Sequence, residues 1–241
     1  MEQLTGILFI DIETVPIEQN YIHLTESLQK EWIRKTKILK NVSDENPDPA
    51  ALFSDRAGVF SEFAKVVCIG IGSLYEDGGM WKMRLKALVN DDEKILLNDL
   101  CNVITRFSAA HKDFRFCGHN IKEFDIPFLC RRMIINAMSI PNCMQVQGKK
   151  PWEVNHIDTM DMWRFGDYKN FTSLSLLAAV LGIPSPKSDL DGSMVGTTYW
   201  NEKDLARIGR YCLQDVYTSA KVYLRLAGIH NIDPQPIFVN E

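Results

Sequence analysis

This chain has no run near the ~20 apolar residues that a bilayer crossing needs, and its amino terminus lacks a basic segment leading into an apolar stretch with a small-residue cleavage site. Neither a membrane protein nor a secreted one is expected; a cytoplasmic location is. Paired cysteines are also missing. Cys68, Cys101, Cys117, Cys130, Cys143 and Cys212 stand apart with no Cys-x-x-Cys among them. That argues against a zinc ribbon or redox dithiol and for free thiols in a reducing compartment. Nor is positive charge in excess: 27 Lys and Arg face 31 Asp and Glu, for a formal net charge of −4. Such a balance disfavours coating nucleic acid through many phosphate contacts, but not gripping a few nucleotides through bound cations. Repeats and low-complexity tracts are absent. The 241 residues, 46% hydrophobic and 24% charged, suffice for a single well-cored α/β domain over residues 1–241.

Hydrophobic periodicity predicts a strand over 4–12, a helix over 21–40, a strand over 64–75 turning at Gly78-Gly79 into a second over 80–89, and a helix capped by Asp91 or Asp92 that runs to about 110. Short strands follow at 115–117 and 154–157. Helices are expected over 125–137, 173–181 (buried) and 202–227. The polar stretch 41–60, with Pro47 and Pro49, reads as a surface insertion or loop, and 187–200 as a Gly-rich loop. An initial hairpin followed by alternating strands and helices implies a mixed central sheet of about five strands flanked by helices.

Three acidic motifs carry chemistry. In Phe9-Ile10-Asp11-Ile12-Glu13-Thr14, Asp11 and Glu13 are two apart on a strand and share a face. Like charges ~4 Å apart repel by about 4 kcal/mol at an effective dielectric near 20, a cost that a divalent cation relieves; a solvated strand end would also carry such residues. In the second motif, from Gly118-His119-Asn120 to Phe124-Asp125, a strand ends and Asp125 opens a helix, where a plain N-cap is the alternative reading. In Tyr211-Cys212-Leu213-Gln214-Asp215 the phenol and carboxylate lie one helical turn apart, as in many surface pairs. None decides alone. The pairs Arg131-Arg132 and Lys149-Lys150 read as exposed, solubilising charge, with contact to phosphate the alternative.

The order and placement of FIDIET, HNIKEFDIPFL and YCLQD resemble the DEDD superfamily of 3'→5' exonucleases, built on the ribonuclease H-like fold, and within it the tyrosine subclass. The nearest likeness is to the proofreading domain of family-B DNA polymerases, in a stand-alone bacterial version. AKVVCIGIG, SLSLLAAVLGIP and KSDLDGSMVG extend that likeness over most of the chain. It implies that Asp11, Glu13, Asp125 and Asp215 bind two divalent metal ions, Mg²⁺ or Mn²⁺, and that Tyr211 orients the attacking water. Zinc would be expected to draw His or Cys ligands instead. It further implies substrate contacts from Thr14, Asn120 and Phe124, with Lys187 near the scissile phosphate; Asp158 is placed either near the site or in a structural hydrogen bond. The implied partner is the 3' end of single-stranded nucleic acid, DNA before RNA, in the company of a separate DNA polymerase or repair complex. An exoribonuclease shares the same chemistry. A catalytically silent nucleic-acid-binding module would be expected to lack at least one of these carboxylates. A polymerase is not expected, because too few residues follow the third motif for a palm.

Overall fold

The computed structural model describes residues 2–39, 48–184 and 189–239. One helical turn, α1 (Glu2–Thr5), leads into β1 (Ile7–Pro16), α2 (Glu26–Thr36) and α3 (Pro49–Arg56). The hairpin β2 (Ala64–Asp77) and β3 (Met80–Val89) is followed by α4 (Glu93–Ala110), β4 (Arg115–Gly118), α5 (Asp125–Ile135), β5 (Ile157–Asp158) and α6 (Thr159–Arg164). The chain closes with α7 (Leu174–Val180), α8 (Val195–Thr197), α9 (Leu205–Leu226) and β6 (Gln235–Phe238). Among the described residues the strands form one sheet, in the order β5-β4-β1-β2-β3-β6. β2 runs antiparallel to both its neighbours, while β1 with β4, β4 with β5 and β3 with β6 are parallel. No helix among the described residues is long and apolar enough to cross a membrane.

Local chemistry accounts for the elements. Gly78 and Gly79 both have positive φ (59° and 78°), which a tight hairpin turn between right-twisted strands demands. Asp92 caps α4 by accepting the Lys94 and Ile95 N–H groups. Thr25 and Asp48 cap α2 and α3 in the same way. Alternation along β1 sends Leu8, Ile10 and Ile12 into a core with Leu96, Leu100 and Phe128, on the face of α4 and α5. Ile7 and Phe9 point the other way, onto Leu213, Val216 and Ala220 of α9. Each such fully buried side chain contributes about 1.5–3 kcal/mol. Gly70 and Gly72 let α9 settle close on β2. A Cβ at Gly70 would stand 2.7 Å from Cys212 Sγ, and one at Gly72 would stand 3.0 Å from Val216 Cγ1.

The mixed sheet with helices on its faces is the expected class, but it has six strands rather than about five. The addition is β6, an exposed edge strand of four residues. The described part of 41–60 is not loop: Asp48 caps α3, Pro49 occupies its first turn, where its missing N–H costs nothing, and Phe53 is fully buried against Trp32. Residues 40–47 lie outside the described residues. The first strand begins at Ile7 and continues to Pro16, and helix α2 is shorter than predicted because residues 21–25 form a 3-10 turn and its cap. β5 keeps only two residues. α7 is half-buried rather than buried, since Leu177 and Ala178 are covered while Leu176 and Val180 face solvent. The stretch expected to be a Gly-rich loop holds helical turns from Gly192 to Glu202, seated through Val195 and Tyr199.

Candidate active site

β1 outruns its neighbour. β4 pairs with it only at Ile7–Phe9, then turns away at Gly118, where a Cβ would lie 2.5 Å from the Ile10 carbonyl oxygen. The β1 backbone past Ile10 is therefore uncovered on that side, at the carboxyl ends of the parallel strands, where open α/β sheets form their crevices. Into this opening comes the first residue of α5: Asp125 Oδ1 accepts the Ile12 N–H at 3.1 Å. Asp125 is thus a first-turn residue that braces the central strand. The N-cap position belongs to Phe124, whose side chain makes no cap bond.

On the α9 face of β1, Asp11 and Glu13 continue the row of Ile7 and Phe9, replacing apolar contact with two carboxylates. Glu13 is buried and Asp11 half-buried. The β1–β2 register shifts between Glu13 and Thr14, which re-aims the strand beyond Glu13. From α9, the Cys212 thiol donates to Asp11 at its main-chain oxygen (3.4 Å) and at Oδ2 (3.3 Å). Among the described residues, Asp11, Glu13 and Cys212 form a group whose ligand atoms all lie within 4.8 Å of one another. Tyr211 and Asp215 lie one turn apart on α9, and the nearby phenol holds the Asp215 carboxyl down against its burial.

The electrostatics bind the remaining acids to this group. Burial, then the charges of Asp125 and Asp215, raise the Asp11 carboxyl well above its ordinary range. Burial and then Asp11 do the same to Glu13. Burial lifts Asp125 to about 7 despite the N–H groups it accepts, and Asp215 to about 6. Burial and then Asp215 and Glu13 push the Tyr211 phenol up. Asp11 and Glu13 therefore each feel the charges of Asp125 and Asp215, although 112 residues separate Glu13 from Asp125 in the chain. With no cation bound, such a set holds protons; with one, it can ionise.

The neighbouring residues divide. Asn120 has φ 64°, a left-handed conformation that asparagine tolerates. Its Oδ1 is buried without a hydrogen-bond partner among the described residues. Phe124 is half-buried, its ring 5.4 Å from that of Phe128. The Thr14 hydroxyl donates to the Gly58 carbonyl at 2.6 Å, so its proton is already committed. Asp158 is structural: its carboxylate accepts the N–H groups of Asn120, Lys122 and Met160 and fixes the turn that presents Asn120. Lys187 lies outside the described residues. The charges at 131–132 are not all solubilising, because Arg132 is buried on Glu93. Sequence reasoning also missed Cys212 as a neighbour of Asp11. The signal was its place inside the third motif, on the face of α9 that carries Tyr211 and Asp215.

The family model described as a predicted 3'-5' exonuclease related to the exonuclease domain of PolB matches residues 59–234. That span holds Asp125, Tyr211 and Asp215 and begins after Asp11 and Glu13. The curated proteins contain no match. Among solved structures, the family B DNA polymerase from the hyperthermophilic archaeon Pyrobaculum calidifontis is similar, with a TM-score of 0.54 and 13% identity over 91% of this chain and 24% of that one. The chain spans about a quarter of the polymerase. At this identity the likeness shows the fold, a ribonuclease H-like one.

Proposed function

The chain belongs to the family of predicted 3'-5' exonucleases related to the exonuclease domain of PolB, and from that premise we propose that residues 1–241 form a single metal-dependent exonuclease domain. It removes nucleotides from the 3' end of single-stranded nucleic acid, DNA in preference to RNA. The observation that carries this reading is that the charges of Asp125 on α5 and Asp215 on α9 both reach Asp11 and Glu13 on β1.

The donor chemistry fits hard divalent cations, Mg²⁺ or Mn²⁺. Four carboxylates supply oxygen, which such ions prefer. The nearby sulfur is a poor ligand, because burial pushes the Cys212 thiol well above its usual range and keeps the proton that it donates to Asp11. Asp11, Glu13, Asp125 and Asp215 would hold the ions. When bound, a pair of such ions acidifies a water and neutralises charge on the leaving oxygen.

The protein's own groups do the positioning. One oxygen of Asp125 is spent on the Ile12 N–H, which leaves the other for a cation. Tyr211 stays protonated at neutral pH, so it orients the attacking water by hydrogen bonding and does not act as a base. The unpartnered Asn120 Oδ1 supports a contact to the terminal nucleotide, and the Phe124 ring supports stacking on a base. Thr14 can still accept a hydrogen bond, and Lys187 keeps its proposed place beside the scissile phosphate on sequence grounds.

The test gives purified protein 5'-labelled single-stranded DNA and matched RNA with Mg²⁺, Mn²⁺ or chelator. A ladder shortening from the 3' end of DNA, only with metal, is expected. Internal cuts, or shortening that chelator does not stop, would overturn the reading.

A further inference from the structure

At the other end of the parallel strands the chain builds a second polar site. Gly6, Arg115 and His156 stand just before or at the start of β1, β4 and β5, whereas Asp11, Gly118 and Asp158 lie towards the carboxyl ends. The four steps from Ile7 to Asp11 put roughly 13 Å between the two regions. A cavity of about 770 Å³ opens there, lined by Lys112, Arg115, Lys149 and His156, with Asp113 the one acidic residue of its lining among the described residues. A second cavity of about 370 Å³ shares Lys149 and His156 and reaches Lys122.

Two independent observations make this more than a charged patch. His156 is only 6% exposed, its ring edge-on to Phe116 at 5.4 Å, yet neither ring nitrogen has a hydrogen-bond partner among the described residues. Buried polar nitrogens are rarely left so. Burial, then Lys122 and Lys149, lower its basicity to about 4, so at neutral pH the ring offers one N–H donor and one acceptor. Secondly, Lys112, Arg115 and Lys149 take part in no ion pair among the described residues. In a chain of net charge −4, three unpaired cations lining one cavity are a local reversal of sign.

We propose that this cavity is a phosphate-binding site of nucleotide size, with Arg115 and Lys149 balancing the anion and His156 donating a hydrogen bond to it. Pockets of this volume suit small ligands, and the phosphate can come from a free mononucleotide or from the backbone of a strand. The inference does not rest on the catalytic reading.

The test follows the His156 ring nitrogens by NMR in full-length protein without added divalent metal. Inorganic phosphate, thymidine 5'-monophosphate, thymidine and oligothymidylate are titrated separately. Phosphate and the monophosphate are expected to shift the His156 signals saturably and thymidine to leave them in place. Lys149→Gln and Arg115→Gln should each weaken the effect by about tenfold, since charge-assisted bonds are lost. Oligothymidylate displacing the monophosphate would identify strand backbone as the source; its failure to do so would identify the free nucleotide. Signals that phosphate and monophosphate do not move, or that move equally in Lys149→Gln, overturn the proposal. Lys149 is exposed, so that variant is expected to fold even where Arg115→Gln does not. Because binding is the readout, a protein that cleaves nothing still gives an answer.

Discussion

Replacing Arg132 with methionine should loosen the clamp behind the acidic cleft. The Arg132 guanidinium meets Glu93 through Nε–Oε1 at 2.9 Å and Nη2–Oε2 at 2.6 Å, and donates from Nη1 to the Ser61 carbonyl at 2.9 Å. Glu93 also accepts the Val66 N–H and the Asn136 side-chain amide, both at 2.8 Å. Side-chain exposures of 9% and 7% place the pair among buried ion pairs, not surface ones. It ties the first turn of α4 and the distal half of α5 to the start of β2. Methionine keeps the aliphatic bulk but leaves a buried carboxylate with only neutral donors, and the Ser61 carbonyl loses this donor. Breaking such a pair from one side costs about 3–5 kcal/mol, which for a chain of this length lowers Tm by about 6–20 °C. Urea and thermal unfolding measure the loss. A Glu93→Leu, Arg132→Met double variant should be less unstable than the sum of its singles, because the orphaned charge goes too. A loss below about 1 kcal/mol for Arg132→Met, or additive singles, would refute the reasoning.

Asp11→Asn removes a buried carboxyl that the metal-free fold must keep protonated at a cost, so that protein should gain about 1–2 kcal/mol in chemical denaturation while exonuclease activity disappears; a variant that stays active and gains nothing would break the link between the buried acid and function. Mg²⁺ at 100 times its Kd should stabilise the fold by about 2.7 kcal/mol. Protons compete for Asp125 (about 7) and Asp215 (about 6), so that increment should shrink from pH 8 to pH 6 in calorimetry. Without metal the sign reverses: folded carboxyls with raised pKa hold protons that the unfolded chain releases, so stability falls as pH rises from about 4 to 7. A metal increment independent of pH would contradict these assignments. Gly70→Ala sets a Cβ 2.7 Å from Cys212 Sγ and 2.8 Å from Val216 Cγ2. That should push α9 off β2, cost about 1–3 kcal/mol and lower kcat with every acidic residue intact; unchanged kcat and stability would disprove the close seating.

What could be read in advance was whatever a local pattern encodes. The Gly78-Gly79 hairpin, the Asp92 cap and the long α9 each announce themselves within a few residues. So do Asp11 and Glu13, by strand alternation. What stayed hidden depends on distant partners. β6 contains Pro236 and joins the sheet by parallel pairing with β3, some 150 residues earlier in the chain, so no short-range pattern marks it. α3 was masked by the prolines that read as loop, although Asp48-Pro49 is also how a helix begins. Arg132 reads as surface charge until Glu93 is brought beneath it from 39 positions away. Cys212, one of six scattered thiols, gains meaning only when α9 lies on β1.

Asp125 answers to the strand through one oxygen, and on the proposed reading to the cleft through the other. An asparagine there would keep the oxygen that Ile12 needs and discard the charge, whereas an alanine would unmoor the helix start from the central strand as well. If the proposed function holds, a lineage leaving catalysis behind could therefore do so by a single amide at position 125 and keep its architecture.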